Sequence, residues 1–384
     1  MEKPLLSIVV PTKDRYFYLK YLVDLIATFK SDEIELVIQD NSTDNTEILD
    51  FLHKKDYTFV RYFYNKEQLS MSKNSDLSIL NSSGEFICFI GDDDGVTRYA
   101  IECARWMKEK GFNIVKSAFA IYKWPSFISP KHYDVSSCIF YNNFSLTYNI
   151  IDCKESLRLL LSSGIDTLGS MPKVYNGIVR KTTLDKIYRK CNTFFPGPSP
   201  DMANAVALAL TEDTFVFVDA PIIIGGHSSN IGGGANRYRK KYGPLEDQPF
   251  IAQEHIDNWS INIPKIWASR SIWPESAITA IKALNKEEYL TGINYEIIYR
   301  KFVVEHPELA RLAFPLSKKK FRLFMRVLFS TMVKSAFVFI NYYKYKVNNL
   351  YAGDKIYRGY NNIILAESSF AKTITEFKPI EKKQ

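Results

Sequence analysis

The chain lacks both glycine signatures that commonly hold nucleotide phosphates. Nothing resembling G-x-G-x-x-G follows its first apolar run, and G-x-x-x-x-G-K-[ST] occurs nowhere, which disfavours dinucleotide and P-loop modes of binding. Cysteine is scarce, five residues scattered singly without a C-x-x-C pair, which argues for reduced thiols and against a zinc site. No G-x-S-x-G elbow announces a covalent nucleophile. Internal repeats, low-complexity tracts and nucleic-acid-binding motifs are also missing, so no nucleic-acid partner is expected. No export signal precedes the first strand; a cytoplasmic location is expected, and N-x-[ST] sites such as Asn143-Phe144-Ser145 carry no weight. The net charge of +8 suits an anionic partner, whether lipid phosphate, nucleotide or nucleic acid.

What is present is more specific. Phe86-Ile87-Cys88-Phe89-Ile90-Gly91 runs straight into Asp92-Asp93-Asp94. Three adjacent carboxylates repel one another unless neutralised, and a hard divalent ion such as Mg²⁺ or Mn²⁺ commonly binds one or two carboxylates plus a substrate's phosphates. A solvated acidic turn is the competing reading of the triplet alone. The preceding sequence alternates strand and helix patterns: Leu5 to Pro11, then Tyr16 to Phe29; Ile34 to Ile38, then a helix through Ile48, Leu49 and Leu52; Thr58 to Tyr64, then Met71 to Leu80. This predicts an α/β fold with a doubly wound, mostly parallel sheet. Ligands of such sheets sit beyond the carboxyl ends of the strands, where this chain carries Thr12 to Arg15, Asp40 to Asp44 and Asp92 to Asp94.

Ser7-Ile8-Val9-Val10-Pro11-Thr12-Lys13-Asp14-Arg15, Gln39-Asp40-Asn41-Ser42-Thr43-Asp44 and Gly84 to Asp94 together resemble family-two glycosyltransferases of the GT-A fold, bacterial surface-polysaccharide type, in order and spacing as well as letters. The resemblance spans roughly the first 225 residues. It implies that Pro11, Thr12, Asp14 and Arg15 line a base pocket, that Asp40 contacts base or ribose, and that Lys73 and Asn74 match the family's basic-plus-Asn pair. It further implies that Asp92 and Asp93 meet the nucleotide-sugar while Asp92 and Asp94 hold Mn²⁺ or Mg²⁺. Taken singly, Asp14 reads more readily as a helix cap and Asp40 as a polar strand end than as binding residues.

Sugar transfer needs a base for the acceptor hydroxyl. Family members resembling this chain place an acidic residue well downstream, often as Glu-Asp. Here Phe194-Phe195-Pro196-Gly197-Pro198-Ser199-Pro200 delivers Asp201 to the start of an apolar helix, so Asp201 is the candidate base, with N-cap as its structural alternative. The resemblance implies an inverting displacement, a UDP- or dTDP-sugar donor, and a saccharide or lipid-linked acceptor. A nucleotidyltransferase and a non-catalytic nucleotide-binding membrane scaffold remain open alternatives.

After two paired strands, Thr214 to Val218 and Pro221 to Ile224, the Gly-dense stretch from Gly225 to Arg237 reads either as a lid over the diphosphate, with His227 as a further metal ligand, or as a linker. Three segments are expected: a catalytic domain over 1–225, a lid and helical subdomain over 226–316, and a basic aromatic region over 317–384. Trp124, Tyr133, Tyr141 and Tyr148 are candidates for stacking on sugar rings. Helices are expected beyond Pro249 with breaks at Pro264, Pro274 and Pro307. Ser317 to Lys344 is apolar, aromatic and basic at once. Arg326 and Lys334 interrupt it too soon for a spanning helix of about twenty apolar residues, so it reads as an interfacial helix at a membrane surface, as a buried packing helix, or as a homo-oligomer contact.

Overall fold

The computed structural model describes residues 3–55, 57–127, 136–141, 144–169, 171–229, 242–248, 251–348, 355–369 and 377–381, with side chains from 338 to 348 and at 355 and 356 excluded. The first part alternates β1 (Leu6–Thr12), α1 (Tyr16–Ala27), β2 (Ile34–Asp40), α2 (Thr46–His53), β3 (Val60–Tyr64), α3 (Met71–Leu80) and β4 (Phe86–Phe89). The chain continues through β5 (Gly95–Val96), α4 (Tyr99–Lys110), β6 (Ile114–Lys123), β7 (Cys138–Tyr141), β8 (Thr147–Asp152), α5 (Cys153–Ser163) and β9 (Gly177–Arg180). Next come α6 (Lys181–Cys191), α7 (Pro200–Thr211) and β10 (Thr214–His227). The C-terminal part holds α8 (Gln253–Asp257), α9 (Ser269–Ala283), α10 (Tyr295–Glu305), α11 (Ala310–Ala313), α12 (Lys320–Asn348), β11 (Lys355–Arg358), α13 (Ile363–Ser368) and β12 (Ile380–Glu381).

The strands join one mixed sheet in the order β12-β8-β10-β6-β9-β4-β1-β2-β3. Its β4-β1-β2-β3 end is wholly parallel, and β9 enters antiparallel between β4 and β6. Side chains alternate between two cores as the pleat requires. Ile8, Val10, Leu36, Ile38, Phe86 and Cys88 face α1, α4 and α13, whereas Val9, Val37, Ile87 and Phe89 face α5, α6, α7, α9 and α10. Each fully buried Leu, Ile or Phe contributes roughly 1.5–3 kcal/mol, so a two-faced sheet of this size is held chiefly by burial.

Two sequence expectations need correction here. The segments read as paired strands, Thr214 to Val218 and Pro221 to Ile224, are one strand, β10, with register shifts around Pro221. Pro221 lacks an amide proton, and it falls where the β8 ladder has ended at Val218 and the β5 ladder has not begun at Ile223. Pro274, read as a break, lies inside α9. It forfeits one bond to the Arg270 carbonyl, while Ile272, Ala277, Ile278 and Ile281 keep the helix buried.

The segment read as one basic aromatic region contains α12 and then returns to the sheet. β11 pairs with β7, and β12 lies parallel to β8. Among the described residues no helix is long and apolar enough to cross a membrane.

Candidate functional site at the carboxyl ends of the strands

The loops leaving β1, β2 and β4 meet at one edge of the sheet. Thr12, the last residue of β1, donates its hydroxyl to Asp92 Oδ2 at 2.7 Å. Arg15, just before α1, donates Nε to Asp92 Oδ1 at 2.6 Å and places Nη2 2.7 Å from Asp93 Oδ2. Ser228, past the end of β10, donates to Asp93 Oδ2 at 2.6 Å and accepts from Arg15 Nη2 at 3.1 Å. Asp94 accepts from the Gly91 amide at 2.8 Å, the Gly226 amide at 2.7 Å and the Tyr175 hydroxyl at 2.9 Å. Gly226 must be glycine for this approach, since a Cβ there would sit 1.7 Å from the Asp93 carbonyl oxygen.

All three carboxylates are buried. Burial pushes Asp92 up to about 6, with Arg15 opposing and Asp93 adding to the rise. Asp94 is likewise held above the ordinary carboxylate range by burial and by Asp93, against the three donors that favour its charged form. One guanidinium therefore leaves a cluster of three acids under-neutralised.

That imbalance, and a donor set made wholly of hard carboxylate oxygens, fits a divalent cation that takes one or two protein ligands and completes its shell with phosphates. The triplet is not a preformed cage. Among the described residues no group of three or more His, Cys, Asp or Glu side chains is disposed to hold a metal ion. Asp92 already engages Thr12 and Arg15 through both oxygens. The His227 ring lies against Phe127 at 5.8 Å.

Around the first two turns the polar groups are tightly interlocked. Asp14 has a positive φ of 55° and is no helix cap: Arg15 occupies the N-cap position without a side-chain bond. The Asp14 amide donates to Ser42 Oγ at 2.7 Å, and its Oδ1 accepts from the Thr43 amide at 2.9 Å, so Asp14 ties the first turn to the second. Asp40 is fully buried and accepts from Tyr16 at 2.7 Å, Tyr62 at 2.6 Å and the Ser42 amide at 2.8 Å. Burial and Asp40 push both tyrosine hydroxyls well up from their ordinary range. Pro11 is half-buried in β1.

Lys73 and Asn74 open α3. Lys73 is exposed, whereas Asn74 is buried with an Oδ1 that no donor reaches among the described residues.

Asp201 lies in the first turn of α7 behind the N-cap Ser199, so it is not the cap. The Pro/Gly lead-in rests on α9, where the Ser276 hydroxyl accepts from the Ser199 amide at 2.8 Å. One turn further along α7, Asn204 Oδ1 accepts from the Val174 amide at 3.2 Å. Through that bond the helix carrying Asp201 also fixes the segment carrying Lys173 and Tyr175. Tyr175 bridges to Phe89 at the end of β4, which delivers its hydroxyl to Asp94. Lys173 is buried, lies 4.2 Å from the Phe119 ring centroid and interacts with both Asp201 and Asp94. Its ammonium is pushed down to about 8 by burial first and by Lys116 second. Burial raises Asp201 to about 6, and Lys173 holds it from going higher.

Sequence reasoning missed Tyr175, Lys173, Ser228, Tyr16 and Tyr62. The two tyrosines that hold Asp40 sit in apolar-patterned elements, and Lys173 and Tyr175 fall in an irregular stretch before β9, so no periodicity marked them. The aromatic candidates are corrected. Trp124 is fully buried against Tyr18, Tyr21 and Tyr122, Tyr141 stacks on Tyr357 at 4.8 Å, and Tyr148 packs on Trp106 at 5.1 Å. Their faces are spent on the protein itself. Tyr133 and the Gly-rich residues 230–241, with Arg237, Arg239, Lys240 and Lys241, lie outside the described residues.

A broad surface concavity lies elsewhere, lined by Leu5, Glu33, Gly84, Glu85 and Arg105 at the amino ends of β1 and β4. Its charges pair with each other or with near neighbours, Arg105 with Glu33 and Arg180 with Glu85, and it touches none of the candidate residues.

Comparison with known proteins bears on the same part of the chain. The sequence is 30% identical over 113 residues to a GalNAc(5)-diNAcBac-PP-undecaprenol beta-1,3-glucosyltransferase of Campylobacter jejuni, covering 28% of this chain and 36% of that protein. It is 33% identical over 109 residues to an uncharacterized glycosyltransferase of Rickettsia felis, covering 28% of this chain and 18% of that one. The chain thus spans well under half the length of either curated relative. Among solved structures it is similar to S. aureus TarS 1-349 in complex with UDP-GlcNAc, with a TM-score of 0.44 and 15% identity over 86% of this chain and 89% of that one. The sequence model of Glycosyl transferase family 2 matches residues 7–169, which contain all three polar turns. The similarity to glycosyl transferase family 2 is that of this segment, which carries the residues of the candidate site up to Asp94.

Proposed function

We propose that the protein is an inverting glycosyltransferase. It moves a sugar from a nucleoside diphosphate, UDP or dTDP, to a hydroxyl of a saccharide or lipid-linked acceptor, in surface-polysaccharide synthesis at the cytoplasmic face of a membrane. The observation that carries the reading is the convergence of Asp201 on the acidic triplet, with Lys173 and Tyr175 interacting with both. A base on one side of an anomeric carbon and a diphosphate site on the other are what a single displacement requires.

In this reading the turns holding Pro11, Thr12, Asp14, Arg15 and Asp40 receive the nucleoside, and the open Oδ1 of buried Asn74, beside Lys73, is a further acceptor for it. Asp92, Asp93 and Asp94 face the diphosphate. Asp92 and Asp94 would be the protein ligands of Mn²⁺ or Mg²⁺, which when bound would supply Lewis-acid charge to the leaving group. Asp201 accepts the proton of the acceptor hydroxyl as that oxygen bonds to the anomeric carbon. The bond from that carbon to the diphosphate breaks, its electron pair leaves with the nucleotide, and the configuration inverts. A carboxylate titrating near 6 is ionised at neutral pH yet remains basic enough for this task. The Campylobacter relative's name specifies a polyprenol-diphosphate-linked acceptor, which supports the same acceptor class here.

The test is nucleotide release from a panel of UDP-, dTDP- and GDP-sugars with and without Mn²⁺. Metal-stimulated release from one donor is expected. Pyrophosphate release from a nucleoside triphosphate would indicate a nucleotidyltransferase instead, and donor binding without turnover a non-catalytic scaffold.

A further inference from the structure

Helix α12 is turned inside out for a surface helix. Such helices ordinarily bury the apolar stripe and expose the charged one. Here the inward stripe is thin: Leu323 is buried, Val327 packs at the edge of the core, and Lys334 Nζ reaches the Val304 carbonyl of α10 at 3.5 Å. The opposite stripe, at spacings of three and four residues, is Phe321, Phe324, Met325, Leu328, Phe329 and Met332. All six are exposed, Phe321 by 78%, Phe329 by 69% and Met332 by 66%. Isolated exposed apolar side chains are unremarkable, but a continuous stripe of large ones marks a contact surface.

The charge around the stripe identifies its partner. From Leu309 to Gly353 the sequence contains no Asp or Glu, while Lys318, Lys319, Lys320, Arg322, Arg326 and Lys334 surround the stripe. A second copy of the same helix would bring like charge against like charge. An anionic bilayer supplies what both parts need: acyl chains for the aromatic face, and phosphates for long basic side chains that snorkel outward.

We propose that α12 lies in the surface of an anionic phospholipid bilayer, its outward stripe inserted between headgroups and Lys320, Arg322 and Arg326 on lipid phosphates. This deepens the membrane element of the functional reading and rests on it only for the whereabouts of the acceptor. The docking is measured without donor, acceptor or turnover, so the two fail separately.

The experiment is flotation of the full chain with phosphatidylcholine vesicles, with and without phosphatidylglycerol. Flotation with the anionic vesicles only, weakened by salt, is expected. The triple variant Phe321→Ser, Leu328→Ser, Met332→Ser should lose it while keeping its thermal melting point, since these side chains make little contact with the core. Lys320→Gln, Arg322→Gln and Arg326→Gln together should weaken it roughly a hundredfold. Failure to float with either vesicle, or flotation unchanged in the serine variant, overturns the proposal. A dimer in sedimentation velocity that the serine variant dissociates, without vesicle binding, overturns it in favour of a second copy.

Discussion

Tyr175 donates its hydroxyl proton to Asp94 Oδ2 at 2.9 Å. This bond joins the segment before β9 to the acidic triplet and favours the charged form of a carboxylate that burial and Asp93 push the other way. Tyr175→Phe removes the bond with little change in volume. Loss of a hydrogen bond to a buried charge costs about 1.5–3 kcal/mol, so donor affinity in the presence of Mn²⁺ should fall roughly tenfold or more. The limb of activity that requires ionised Asp94 should also move to higher pH. A pH-rate profile superimposable on the parent's would remove Tyr175 from this role.

Asp201 and Lys173 make a second, separable prediction. Asp201→Asn should leave donor affinity intact and lower turnover by about 10²–10⁴-fold, the usual span for a lost general base. Lys173→Met should act on the same proton more gently. The ammonium holds the Asp201 carboxyl down, so without it Asp201 titrates above 6 and the acid limb of the kcat profile shifts alkaline. If the limb stays in place while kcat falls, Lys173 serves packing rather than the base.

Much of this arrangement was legible in the sequence, for identifiable reasons. Val9, Val37 and Ile87 mark strands because β-branched runs fit a two-sided sheet, and the polar clusters that follow mark its carboxyl edge because buried strands cannot carry them. Asp92, Asp93 and Asp94 stand out at that edge, whereas Asp201 is the candidate base because the resemblance calls for a downstream acid and the proline lead-in presents one. Trp124 misled because an aromatic in an irregular stretch looks the same whether it will stack on sugar or on Tyr18. Pro221 misled because a missing amide proton matters only where a ladder needs it. Lys173 and Tyr175, which act on the buried carboxylates, come from a segment with no period to read, held by the Asn204 bond and by the bridge from Tyr175 to Phe89.

Arg15 occupies the negative cluster with a fixed positive charge, pairing with Asp92 and Asp93 at 2.6 and 2.7 Å. Arg15→Gln leaves both acids buried without that counter-charge, and breaking one partner of a largely buried pair costs about 3–5 kcal/mol. The variant should melt at lower temperature, and added Mn²⁺ should recover more of that loss than it adds to the parent protein. In Asp94→Asn the Mn²⁺ dependence of donor binding should disappear in calorimetry. Equal Mn²⁺ responses in parent, Arg15→Gln and Asp94→Asn would argue against a cation at the triplet.

Glu35 offers a stability prediction far from the chemistry, at the amino end of β2. Its carboxylate accepts from Ser7 Oγ at 2.5 Å, the Ser83 amide at 2.6 Å, Ser83 Oγ at 2.8 Å and Arg61 Nη1 at 3.2 Å. Although burial opposes ionisation, these donors together hold the group below its ordinary value. A carboxyl depressed on folding contributes its full stability above the unfolded value of about 4.3 and loses it as the pH falls through the lower, folded value. Glu35→Gln keeps the shape but replaces one acceptor oxygen by a donor facing Ser83, and should cost about 1–3 kcal/mol at pH 7. The gap between parent and variant in urea unfolding should close on acidification below about pH 4. A gap that persists unchanged at pH 3 would mean that packing, and not the charge on Glu35, is what the substitution disturbs.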